Sequence, residues 1–89
     1  MENNPLYQEV TQLLGETYGV DPDELTPESD LMEDIDVKSD VESLGKFVHG
    51  LNTTFDIELQ TPRFSRALVS GDISTVRDIV NTVEDALLE

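Results

Sequence analysis

The sequence predicts an all-α fold, a small bundle of four helices, and three observations predict it. Apolar residues recur at spacings of three and four in separate stretches of the chain. Those stretches are punctuated by residues that start or stop helices, proline or serine ahead and glycine behind. The chain shows no sustained alternation of apolar and polar residues with the period of two that a half-buried strand requires.

Pro5, following Asn3 and Asn4, opens the first helix, because the amide hydrogen that proline lacks has no helical partner in a first turn. Leu6, Val10, Leu13, Leu14 and Thr17 fall on one face, and Gly19 closes the helix in the left-handed cap conformation. Residues 20–38, VDPDELTPESDLMEDIDVK, carry two prolines and a dense acidic run. They read as a long, ordered, acidic loop, with Val20, Leu25, Leu31 and Ile35 as apolar pegs. The second helix runs from Ser39 or Asp40 to Phe55 on a stripe of Val41, Leu44, Val48, Leu51 and Phe55, with Phe47 flanking it. Gly45 and Gly50 lie off that stripe and weaken the helix by about 1 kcal/mol each relative to alanine. Either they permit close approach of another element or they are tolerated. Thr61-Pro62 opens a short third helix through Val69, ended by Ser70-Gly71. The fourth, in DISTVRDIVNTVEDALL, takes its cap from Ser74 or Thr75 and buries Val76, Ile79, Val80, Val83 and Leu87. The whole, residues 1–89, is one domain of three longer helices and one short one, with one modest core.

Charge narrows the function. Twenty acidic residues oppose five basic ones, a formal net charge of -15. That excess excludes DNA and RNA as partners, since phosphate binding needs clustered lysine and arginine. It favours partners with basic surfaces, which long-range fields steer toward an acidic one. The chain has no cysteine, so disulfides, thiolate metal sites and a cysteine nucleophile are excluded. No apolar run approaches membrane-spanning length, and MENNPLYQEV lacks the basic-then-apolar plan of a signal peptide. A cytoplasmic monomer away from the membrane is the expectation.

The acidic loop invites a calcium reading, but both registers fail. An EF-hand needs an oxygen ligand at the fifth position, glycine at the sixth and glutamate at the twelfth. From Asp21 these are Leu25, Thr26 and Met32; from Asp34 the fifth is Lys38 and the twelfth Gly45. No dedicated metal site is expected. His49, the lone histidine, lies opposite the apolar stripe of its helix and reads as a solvated side chain. With no nucleophile–base pair in view, the chain is not expected to be an enzyme. Ser39 remains. It reads first as an N-cap, with Glu42 three positions on completing a capping box. The same position suits a phosphate ester, which would face free backbone N–H groups and the positive end of the helix dipole.

Four motifs in order then resemble the acyl carrier protein family over nearly the whole chain. They are Leu13-Leu14-Gly15-Glu16 with Gly19-Val20, Leu25-Thr26 with Asp34-Ile35, FDIEL at 55–59, and DISTVRDIV at 72–80. The resemblance implies a four-helix bundle whose serine carries covalent 4'-phosphopantetheine, the arm's thiol holding acyl groups as thioesters. It implies a phosphoprotein that serves fatty-acid or related lipid or polyketide-type synthesis. Its partners would be a phosphopantetheinyl transferase and acyl-transferring or synthase enzymes with basic patches. They would read an acidic surface at the start of the second helix, here Asp34, Asp36, Lys38, Asp40 and Glu42.

Two departures stand beside it. The family's Asp-Ser-Leu is Lys38-Ser39-Asp40 here. Counting forward from Leu25 and Asp34 places the attachment on Ser39, whereas counting back from Phe55 places it on Val41, so about two extra residues intervene. They would turn a continuous helix by roughly half a turn, and a loop–helix junction absorbs them more cheaply. Ser43-Leu44 keeps the Ser-Leu pair but arrives four residues later and is the second choice. The rival reading is an armless, carrier-like acidic interaction module, and a weaker one is an acidic mimic of nucleic acid. The stretch after Pro62 carries Arg63 and Arg66 and marks a specialised carrier.

Overall fold

The computed structural model describes residues 4–35 and 41–88, Val41 by its backbone alone. Among the described residues four α-helices form: α1, Pro5–Tyr18; α2, Val41–Phe55; α3, Thr61–Ser70; and α4, Val76–Leu88. A 3-10 turn, Pro22–Glu24, lies in the loop between α1 and α2. No strand forms there; Asp30 and Thr75 make one isolated antiparallel bridge. The fold is all-helical, as the periodicity predicts.

The helix ends follow from local side-chain chemistry. Asn4 caps α1, its Oδ1 accepting the Leu6 N–H at 2.9 Å, with Pro5 in the first turn. Gly19 and Gly71 close α1 and α3 at φ of 74° and 90°, where a Cβ would be strained. After Gly71 the Ile73 N–H returns to the Ala67 carbonyl at 3.1 Å, which turns Ile73 back into the core.

One core joins all four helices and the loop. Phe47, almost fully buried, is its centre, with ring contacts to Tyr18 of α1 and Phe64 of α3 at centroid distances of 6.3 and 6.1 Å. Leu44, Val48 and Leu51 complete the buried side of α2, while Phe55 is only partly covered. The Val41 side chain, part of the predicted stripe, lies outside the described residues. Gly50 is the glycine that permits close approach, since a Cβ there would lie 3.1 Å from Leu13 Cδ2, whereas Gly45 faces open space.

Two expectations need correction. The buried arc of α1 consists of Tyr7, Val10, Thr11 and Leu14, while Leu6, Leu13 and Thr17 are half-buried. The arc is turned toward Tyr7 because the loop lies across that side, the Tyr7 hydroxyl donating to the Leu25 carbonyl at 2.9 Å. On α4, Val76, Ile79, Val80 and Val83 are buried as predicted, but Leu87 is 44% exposed. The first described residue of α1's cap, Asn4, bonds Glu84, so the last turn of α4 runs past its neighbour.

Candidate functional site

The site predicted from sequence is the junction between the acidic loop and α2, and the loop is held at several points. Leu31 is wholly buried, Leu25 and Pro27 are buried, and Val20 and Ile35 pack against the core. All four pegs therefore function as the sequence suggests. The loop also completes the N-terminus of α4. A helix leaves its first four N–H groups without internal partners. Here Val76 N–H donates to the Ser29 carbonyl at 3.2 Å and Arg77 N–H to Pro27 at 2.9 Å. The Thr75 N–H donates to Asp78 Oδ2 at 3.2 Å and the Asp78 N–H to the Thr75 carbonyl at 3.1 Å, after which the Ile79 N–H makes the first regular helical bond, to Thr75, at 3.4 Å. In the opposite direction, Leu31 N–H donates to the Ser74 carbonyl at 2.9 Å. Arg77 pairs with Glu28 on the surface, the one ion pair among the described residues.

Asp78 reciprocates. Its Oδ2 accepts the N–H groups of Ser74 and Thr75 at 2.9 and 3.2 Å and the Ser74 hydroxyl at 3.2 Å. Partial burial pushes the Asp78 carboxyl up, but the hydrogen bonds from Ser74 and Thr75 favour the anion and hold it below the ordinary aspartate value of 3.8. This is a capping box with aspartate in the third helical position, and it bears out a cap at Ser74 or Thr75.

Three of the loop's described acids, Asp21, Asp30 and Asp34, turn their carboxylates on the loop itself. Asp21 Oδ1 accepts the Asp23 N–H at 2.9 Å. Asp30 Oδ1 accepts Met32 and Glu33 N–H groups at 2.7 and 3.0 Å. Asp34, one of the predicted partner-binding residues, is exposed, yet its Oδ2 accepts the Asp30 N–H at 2.8 Å. Its carboxylate shapes the turn before it can meet a partner.

Of the other predicted residues, Glu42 is exposed in the first turn of α2, where its charge complements the helix dipole. Ser43 is half-buried as the third residue of α2. Asp36, Lys38, Ser39 and Asp40 lie outside the described residues, as does the capping box proposed for Ser39 with Glu42. The exposed side of α2 is not acidic. It carries Glu42, Lys46 and His49 followed by Thr53 and Thr54, so the acid resides in the loop and at Glu42. His49 is solvent-exposed as predicted. Arg63 and Arg66 are exposed on α3, and neither makes an ion pair among the described residues.

Among the described residues no group of three His, Asp or Glu side chains is placed to hold a metal ion. No described helix is long and apolar enough to cross a membrane. No protein-family model matches the chain, and no curated protein matches it.

Proposed function

We propose that the chain is a discrete carrier of the acyl-carrier-protein type, holding acyl groups as thioesters on a 4'-phosphopantetheine arm at Ser39. The observation that carries this reading is the way the loop is anchored. It is pinned by Leu25 and Leu31, tied to the start of α4, and leads five residues after Ile35 into α2. Ser39 falls within that short lead, two residues ahead of Val41. The first-turn N–H groups of a helix point back past its N-terminus, and a phosphate ester set there would be stabilised by them and by the helix dipole. The modification asks the chain for one serine hydroxyl and no cation or metal, which suits these residues. The bound arm would supply the thiol that this cysteine-free chain lacks.

The chain's own part is presentation. The loop anchored through Ile35 and the packed α2 bracket the segment that holds Ser39 in sequence, and the acidic loop steers basic partner enzymes. Such a protein needs no intrinsic catalysis. The helix order, with the third helix the shortest at 10 residues and the longest connection between the first two, supports the family resemblance.

A second reading, the armless interaction module, is favoured by one observation. The exposed side of α2 holds Lys46 and His49 where a carrier of this type would present acids. Intact-mass measurement after co-expression with a broad-specificity phosphopantetheinyl transferase decides between them. Wild type and Ser43→Ala gain one phosphopantetheine and Ser39→Ala gains none if the carrier reading is right. Wild type unmodified by several transferases leaves the armless module.

A further inference from the structure

A groove of about 740 Å³ opens between α3, the second half of α4 and the 56–60 connection, and no described residue of the acidic loop lines it. Its walls include Ile57, Leu59, Phe64, Ala67, Ile73 and Ala86. The connection forming one wall is fixed. Asp56 takes a φ of 54°, a left-handed conformation that aspartate tolerates, and ends α2. Asn52 then holds Leu59 through both of its backbone groups, accepting the N–H at 2.7 Å and donating to the carbonyl at 3.1 Å.

Four exposed carboxylates stand around this apolar strip: Asp56, Glu58, Asp72 and Asp85. None of the hydrogen bonds that shape the loop has a counterpart among them, and none joins the one described ion pair. Arg63 is the single cation among the described residues of the lining. Negative charge around a groove of mixed polar and apolar lining is an arrangement that can receive an amphipathic helix with lysine or arginine beside an apolar stripe. The net charge of -15 acts in the same direction, drawing a basic segment in before it seats.

We infer that this groove docks a basic amphipathic segment of a partner protein, with apolar side chains against the half-buried Leu59, Ala67 and Ala86 and cations on the four carboxylates. This holds whether or not Ser39 is modified. The probe is a fluorescent synthetic peptide of leucine and lysine ordered to form one apolar helical face. A peptide of the same composition in scrambled order serves as control, and anisotropy is read at physiological salt so that distant charges are screened.

The ordered peptide binds at least about tenfold more tightly than the scrambled one. The quadruple variant Asp56→Asn, Glu58→Gln, Asp72→Asn, Asp85→Asn loses about tenfold or more, since it removes the rim charge at the seat. Neutralising four exposed acids elsewhere, Glu9→Gln, Glu16→Gln, Glu24→Gln and Glu33→Gln, changes the same total charge and costs less than about threefold. Arg63→Ala leaves binding unchanged or tightens it. Amide chemical-shift changes concentrate in 56–60, α3 and the second half of α4, and Ser39→Ala behaves as wild type throughout. Equal losses in the two quadruple variants, equal binding of the two peptides, or no binding would each overturn the inference. So would a tenfold loss in Arg63→Ala, which would mean an anionic occupant.

Discussion

The loop between α1 and α2 and the rim of the groove are both rich in carboxylates, and they use them differently. In the loop, Asp21, Asp30 and Asp34 accept backbone N–H groups, and at the adjoining start of α4 Asp78 does the same. At the groove, Asp56, Glu58, Asp72 and Asp85 point into solvent around an apolar strip. One set of acids makes shape and the other offers charge. A composition of 20 acidic residues therefore conceals two populations, and mutation separates them.

The loop's role as part of the fold gives the largest expected effect. Leu31 is fully buried although it sits outside any helix. Leu31→Ala should cost about 2–5 kcal/mol, the range for deleting a buried leucine side chain from a packed core. Urea denaturation measures it. A cost below about 1 kcal/mol would mean that the loop is a passive tether and that its inward hydrogen bonds are incidental.

The glycines sharpen the same contrast. A Cβ on Gly15 would lie 2.8 Å from the Val20 carbonyl oxygen and 2.8 Å from Pro22 Cγ, because the loop crosses α1 there. A carbonyl of the backbone cannot swing aside, so Gly15→Ala should destabilise by about 1–3 kcal/mol despite its better helix propensity. Gly45 meets nothing within 4 Å, and Gly45→Ala should stabilise by up to about 1 kcal/mol. Opposite signs in thermal melts would confirm that the loop crowds Gly15 while the Gly45 face of α2 lies open.

Asp78→Asn tests a structural acid directly. It keeps the shape of the cap and removes the charge, at an expected cost of about 0.5–2 kcal/mol near neutral pH. The folded carboxyl lies below 3.8, so the unfolded chain takes up the proton first as pH falls. The stabilisation is complete above the unfolded value and is lost as pH falls through the lower folded value. The stability gap between wild type and Asp78→Asn should therefore close in acid below about pH 4. A gap that widens there would contradict the capping assignment.

What the sequence disclosed tracks how local each signal is. Pro5, Gly19 and Gly71 act on their own backbone, and the helix boundaries they mark agree with the structure. The pegs Leu25 and Leu31 were legible because isolated leucines in a polar loop have little reason to be there unless buried. Tyr7 was not, since its burial depends on where a loop 18 residues away comes to lie. Leu87 fits a perfect stripe and is exposed because a helical period cannot say where the neighbouring helix starts. At the candidate site the motifs point to Ser39, and the structure adds the anchoring of the loop that precedes it. The groove left little trace in the sequence. FDIEL could have signalled it, since its alternating acidic and apolar residues put Asp56 and Glu58 on the rim and Ile57 and Leu59 in the wall.

The groove acids should give the smallest effect and the most telling one. Asp72 and Asp85 are exposed and their carboxylates take part in no described hydrogen bond or ion pair, so replacing them with asparagine removes no fold-holding contact. Each removes one negative charge from a chain that already carries a formal -15, which relieves self-repulsion. Asp72→Asn and Asp85→Asn should each shift stability by less than about 0.5 kcal/mol, toward greater stability, and the gain should shrink as salt is added. Chemical denaturation at low and high ionic strength reads both features. A loss like that of Asp78→Asn would place these residues with the loop's structural acids. A small gain that fades with salt leaves them as charge held outward, at a measurable cost to the fold.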